Sequence, residues 1–186
     1  MRLFVAIEIP DEIRKAIAGL LKELRAAAPQ VKWVRAESLH ITLKFLGETE
    51  TGKLEAIRNA LSSLRSEQPV TLEFRGLGFF PNEKRPRVFW AGMETSSNLK
   101  ALAGTMDHSL HQLGFPLGDR PFTPHLTLAR FASPGPPATL GAMARENESR
   151  TFGSMSASEF HLIESKLKPS GAEYTTLRSF PFVAEA

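Results

Sequence analysis

Two short segments, HITL at His40–Leu43 and HLTL at His125–Leu128, stand 85 residues apart. Each lies in a run that alternates apolar and polar residues, the period of a half-buried strand. That period puts His40 and Thr42 on one face and His125 and Thr127 on one face, with Leu39, Ile41, Leu126 and Leu128 on the reverse sides. Neighbouring elements repeat at almost the same offset. The helix expected from Asp11 has a counterpart from Ser97, 86 residues on, and the strand expected from Val70 has one near Met155, 85 residues on. The order points to an internal duplication in which each half supplies a strand-and-helix lobe. The chain must then bring two copies of one motif strand together.

The remaining pattern fits an α+β fold. Leu3 to Ile9 reads as a buried strand; Ile13, Ile17, Leu20, Leu21 and Leu24 recur at helical spacing until Pro29. VKWVR (Val31–Arg35) is expected as a strand before the first motif, and Leu54, Ile57, Leu61 and Leu64 mark a second helix. After the strand from Val70 comes a charged, proline-bearing loop, FPNEKRPR, and then a strand at Arg87–Met93. Leu99, Leu102, Met106 and Leu110 define the next helix, with Gly114 placed to cap its end. The Pro-rich SPGPPA leads to a helix around Leu140 to Glu148, and SMSASEFHLIES and EYTTLRSFPF close the chain as two strands. The expected architecture is one bilobal domain over residues 1–186: two pseudo-symmetric lobes of mostly antiparallel sheet, helices outside, and the site in a central cleft.

Composition narrows the chemistry. With 42% hydrophobic and 23% charged residues in 186, the chain can bury a full core and does not read as disordered. A net charge of +3 leans toward an anionic partner. There is no cysteine, so disulfides, thiolate nucleophiles and cysteine zinc sites are excluded. LFVAIEI is short, carries Glu8 and is followed by Pro10 and a charged helix, so neither a signal peptide nor a membrane span is expected there. The expected location is cytoplasmic.

A pair of histidines can divide acid and base work, one neutral and one protonated near pH 7. Flanking a phosphorus, one activates an attacking hydroxyl or water while the other protonates the departing oxygen. Two threonine hydroxyls on the same faces can bind the non-bridging oxygens. Competing chemistries lack their motifs: there is no HExxH or acidic cluster, no G-x-S-x-G elbow, and no P-loop or dinucleotide glycine pattern.

These residues resemble the paired His-x-Thr motifs of the 2H phosphoesterase superfamily, and within it the RNA 2′,3′-cyclic phosphodiesterases, also called 2′–5′ RNA ligases. The likeness runs almost the length of the chain, through MRLFVAIEIP, VKWVRAESLHITLKFLGE, RPRVFWAG, FTPHLTLAR and LIESKLKPSGAEYTTL in that order. It implies His40 as proton donor, His125 as proton acceptor, and Thr42 and Thr127 as phosphate ligands. It further implies hydrolysis of RNA 2′,3′-cyclic ends to 2′-phosphomonoesters, ATP-independent 2′–5′ joining as a related activity, and no metal or organic cofactor. Two other readings stay open: a phosphodiesterase for a small cyclic nucleotide or a 2′–5′ linked oligonucleotide, and a nucleotide- or RNA-binding module without turnover. A monomer is expected, since duplication supplies both half-sites.

Residues around the pair divide by parity. In a regular strand Lys44 shares the face of His40, and a solvated strand-end lysine is the ordinary reading. Arg130 as a phosphate clamp and Phe45 as a base-stacking surface both fall on the wrong face of an unbroken pleat; Arg130 reaches the site only if the strand twists or bulges. Arg85 and Arg87 could track an RNA backbone, while Trp33 and Trp90 read as core or cleft wall. His108 and His111 have no third ligand and read as a solvated helix face; His161 is given no role.

Overall fold

Leu3 to Ile7 are buried without a break, because the first strand lies inside its sheet with a strand paired on each side. The computed structural model describes residues 1–132, 135 and 137–183; Ser133, Pro134 and Pro136 of the Pro-rich stretch lie outside the described residues. In chain order the elements are β1 (Arg2–Glu8), α1 (Asp11–Ala27), β2 (His40–Glu48), α2 (Leu54–Ser62), β3 (Val70–Phe80), β4 (Val88–Thr95) and α3 (Ser97–His111). There follow β5 (His125–Arg130), α4 (Ala138–Glu146), β6 (Thr151–Ala157), β7 (Glu159–Lys168) and β8 (Gly171–Pro181).

These make two four-stranded antiparallel sheets, ordered β2-β1-β7-β8 and β5-β4-β3-β6. Neither sheet is built from one half of the chain. β3 leaves the first half to join the second sheet, and β7 and β8 leave the second half to join the first. The expectation that each half supplies its own lobe is corrected accordingly. SMSASEFHLIES divides at Ser158 into β6 and β7, which belong to different sheets.

Helices cross over in the same way. α1 follows β1 of the first sheet but packs against β6 and α4; α3 follows β4 of the second but packs against β2 and α2. The apolar stripe of α1, Ile13, Ile17, Leu20, Leu21 and Leu24, is no more than 2% exposed. Each such side chain contributes about 1.5–3 kcal/mol by leaving water, so Leu20→Ala should cost about 2–5 kcal/mol. One continuous apolar core includes residues of both sheets. α3 ends as the sequence suggested: Gly114 takes φ +91° and the Phe115 N–H returns to the Leu110 carbonyl.

Val31–Arg35 is not a strand. Trp33 makes a single antiparallel bridge to Ala129, the Val34 N–H donates to Leu128 O at 2.9 Å, and the Trp33 indole N–H donates to Ala28 O at 3.0 Å. This segment leaves α1, lies along the free edge of β5, and returns to begin β2. It therefore ties the two motif strands together, and β2 and β5 themselves approach within 8 Å, Cα to Cα. No helix among the described residues is long and apolar enough to cross a membrane.

Candidate active site

Each motif histidine is anchored by the chain just before it. The Nδ1 of His40 lies 3.0 Å from Ser38 O, and that of His125 lies 2.8 Å from Thr123 O, in both cases the carbonyl two residues earlier. A carbonyl only accepts, so Nδ1 carries the proton and the neutral ring presents Nε2 as its free nitrogen. Both rings are partly covered by aromatic edges. His40 meets Phe4 at 5.7 Å and Tyr174 at 5.1 Å, and His125 meets Phe80 at 4.9 Å, all near-perpendicular.

Burial pushes both imidazoles below the ordinary histidine range, and the two carbonyls work against it by favouring the protonated rings. Around His40, Arg14 and His161 push further down while Glu8 pulls up; around His125 the charge that acts is Arg130, which pushes down.

Register places the neighbours. In the first sheet Glu8 stands opposite His40, Ala6 opposite Thr42 and Phe4 opposite Phe45. Since residues 4, 6 and 8 share a face of β1, Phe45 shares the face of His40 and Thr42. The switch occurs at Leu43, which has no partner on β1: a β-bulge resets the pleat. In the second sheet Gly92 stands opposite His125, Trp90 opposite Thr127 and Val88 opposite Arg130, with Leu128 left unpaired. The unbroken pleat expected for these strands is thus corrected in both. Arg130 and Phe45 (63% exposed) are turned onto the histidine faces.

Lys44 goes the other way. It registers with Val5 on the core side and forms an ion pair with Asp107 of α3, while also donating to Pro116 O. A solvated lysine on the His40 face is therefore corrected to an ion pair behind the sheet. Burial alone would raise the Asp107 carboxyl, but the hydrogen bonds from Lys44 and the Gly118 N–H, with the lysine charge, hold it below the usual aspartate value.

Trp90 lies across Gly78 and Gly92, where an added Cβ would overlap its indole, and it packs on Phe80 at 5.2 Å. Gly78 is the register partner of Trp90, so this wall of the second sheet requires the missing side chain. Trp33, edge-on to Phe89 at 5.7 Å, belongs to the core. Arg85 and Arg87 are exposed in the β3–β4 loop, with the Arg85 N–H held by Asn82 Oδ1 at 3.0 Å. His111 bonds Phe115 O at 2.9 Å, and among the described residues no three His, Asp or Glu side chains converge as metal ligands.

Sequence reasoning missed Phe4, Glu8, Phe80 and Tyr174 as residues around the two rings. Their strands were legible, but which face each presents depends on pairing between distant segments. His161 was also left without a place. It registers with Ala6, itself the partner of Thr42, and is buried with Nδ1 2.9 Å from Ser179 Oγ.

The LigT-like phosphoesterase family matches residues 7–90 and 93–174, nearly the whole chain in two consecutive parts. An RNA 2′,3′-cyclic phosphodiesterase of Archaeoglobus fulgidus is 41% identical over 97% of this chain and 99% of its own. A Thermus thermophilus crystal structure superposes with TM-score 0.82, 34% identity and full coverage of both chains. Escherichia coli LigT complexed with 3′-AMP superposes with TM-score 0.75, 30% identity and 98% coverage of both.

Proposed function

Because this chain belongs to the LigT-like phosphoesterase family, we propose that it is an RNA 2′,3′-cyclic phosphodiesterase that opens the ring with His40 and His125 as an acid–base pair. The observation that carries the reading is the matched anchoring of the two imidazoles. Each is fixed through Nδ1–H to a local carbonyl and each has a threonine two residues on, on the same face. Two equivalent proton-transfer groups suit a displacement that needs one proton removed and one supplied.

In hydrolysis His125 takes a proton from water as its oxygen bonds to phosphorus, and His40 gives one to the 3′ oxygen as the P–O3′ bond breaks. The phosphate stays on the 2′ oxygen. Thr42 and Thr127 donate hydrogen bonds to the non-bridging oxygens, where charge accumulates. Arg130 adds a positive charge on the side of His125, and the exposed ring of Phe45 offers the nucleobase a stacking surface on the side of His40. A 5′-hydroxyl in place of water makes the same proton transfers yield a 2′–5′ linkage, with no nucleotide triphosphate required.

The test is an RNA bearing a 2′,3′-cyclic end, incubated with the protein in excess EDTA. The expected product is a 2′-phosphomonoester. Exclusive 3′-phosphate, loss of activity on chelation, or binding without turnover would contradict the reading.

A further inference from the structure

The two half-sites match in their anchoring and differ in the charge beside each ring. Across β1–β2 the residue opposite His40 is Glu8, and its Oε1 accepts a hydrogen bond from Thr176 Oγ1 at 3.1 Å. Across β4–β5 the residue opposite His125 is Gly92. That position takes no side chain: an added Cβ would stand 2.7 Å from Arg75 O and 2.9 Å from the Trp90 ring. A carboxylate is thus built in beside one imidazole and sterically barred beside the other. The parity-reset positions differ in the same sense, with neutral Phe45 near His40 and Arg130 near His125.

We propose that Glu8 is a positioning residue for His40, whose carboxylate keeps a proton available on that ring and so fixes His40 as donor and His125 as acceptor. This rests on the acid–base reading of the site. Apart from the Ser38 carbonyl on Nδ1 and Glu8 itself, the polar groups acting on His40 work against its charged form. Arg14 reaches in from α1, held by Ala36 O and Ile9 O, and His161 approaches from β7. Both disfavour a charged His40, as does its burial, and the Glu8 carboxylate opposes them in part. His125 faces Arg130 with no carboxylate opposite it, which favours its neutral form, the form able to accept a proton.

The experiment is an NMR titration of the histidine side chains in the wild-type protein, E8Q and E8D, joined to the pH profile of kcat/KM on a 2′,3′-cyclic nucleotide. E8Q keeps the shape and the acceptor for Thr176 but removes the charge. The His40 midpoint should fall by roughly 0.2–0.7 pH unit, the size expected of one exposed carboxylate, with His125 unmoved and E8D close to wild type. The alkaline limb of the E8Q profile should move down by the same amount while the acidic limb stays. A stationary His40 midpoint, an equal fall at both histidines, or a shift on the acidic limb instead would overturn the proposal. If the wild-type protein does not hydrolyse cyclic phosphate at all, the reading of the reaction fails, and the titration still decides whether Glu8 governs His40.

Discussion

Leu43 and Leu128, 85 residues apart in sequence, are each the unpaired residue of a β-bulge one position after a motif threonine. Both leucines are buried, at 7% and 0% exposure, so each bulge puts its extra side chain into the core and returns the next strand residues to inverted parity. The consequence is a pair of equivalent positions facing the cleft side, occupied by Phe45 and Arg130.

Phe45→Ala should therefore weaken substrate binding without unfolding the protein. Stacking of one base is worth about 1–3 kcal/mol, so KM for a cyclic nucleotide should rise roughly 5- to 100-fold with kcat little changed. A ring that belonged to the core would instead lower the melting temperature, and thermal unfolding alongside the kinetics separates the two.

Replacing either threonine by valine keeps shape and removes the donor. Thr42→Val and Thr127→Val are each expected to lose about 10²–10³ in kcat, the usual cost of one donor to a developing anion. Losses under threefold in steady-state assays would take the hydroxyls out of the mechanism.

Lys44 and Asp107 test what the first bulge orients. Asp107→Asn or Lys44→Met should cost roughly 1–3 kcal/mol by urea unfolding, as expected for a charged hydrogen bond removed from a half-covered site. The folded Asp107 carboxyl lies below its unfolded value, so the contribution is complete above the unfolded value of about 3.9 and disappears as pH falls through the folded one. Lys44→Met should retain kcat/KM within about tenfold; a loss beyond 10² would mark Lys44 as a phosphate ligand.

Both histidines titrate below the ordinary range because they are partly buried. The profile of kcat/KM reports the free enzyme, and a bell centres midway between its two values. The optimum should therefore lie below about 6.5, the unperturbed histidine value. An optimum above pH 7.5 would show that other groups control the rate.

Most of the candidate site was legible because its motif occurs twice. His40, Thr42, His125 and Thr127 follow from a period of two and a repeat of 85. Phe45 and Arg130 were misdirected by parity, since local sequence carries no mark of a bulge when the extra residue is one more leucine in an apolar run. The strand expected at Val31–Arg35 had a strand's composition but only one backbone bridge to use, to Ala129. Exchange of β3 and of β7–β8 between sheets was beyond reach, because antiparallel pairing partners far apart in sequence leave no periodic signal. Glu8 could have been noticed as a lone carboxylate in an apolar strand, but only the register shows it opposite His40.

The most direct measurement is kcat for hydrolysis of a 2′,3′-cyclic nucleotide by His40→Ala, His125→Ala and the double variant, each verified as folded. Each single change should lose about 10²–10⁴, and the double variant should fall well short of the product of the two losses, because groups acting as a unit are not additive. Substrate affinity should survive in all three. Substantial activity in both single variants would contradict paired acid–base catalysis by these two residues.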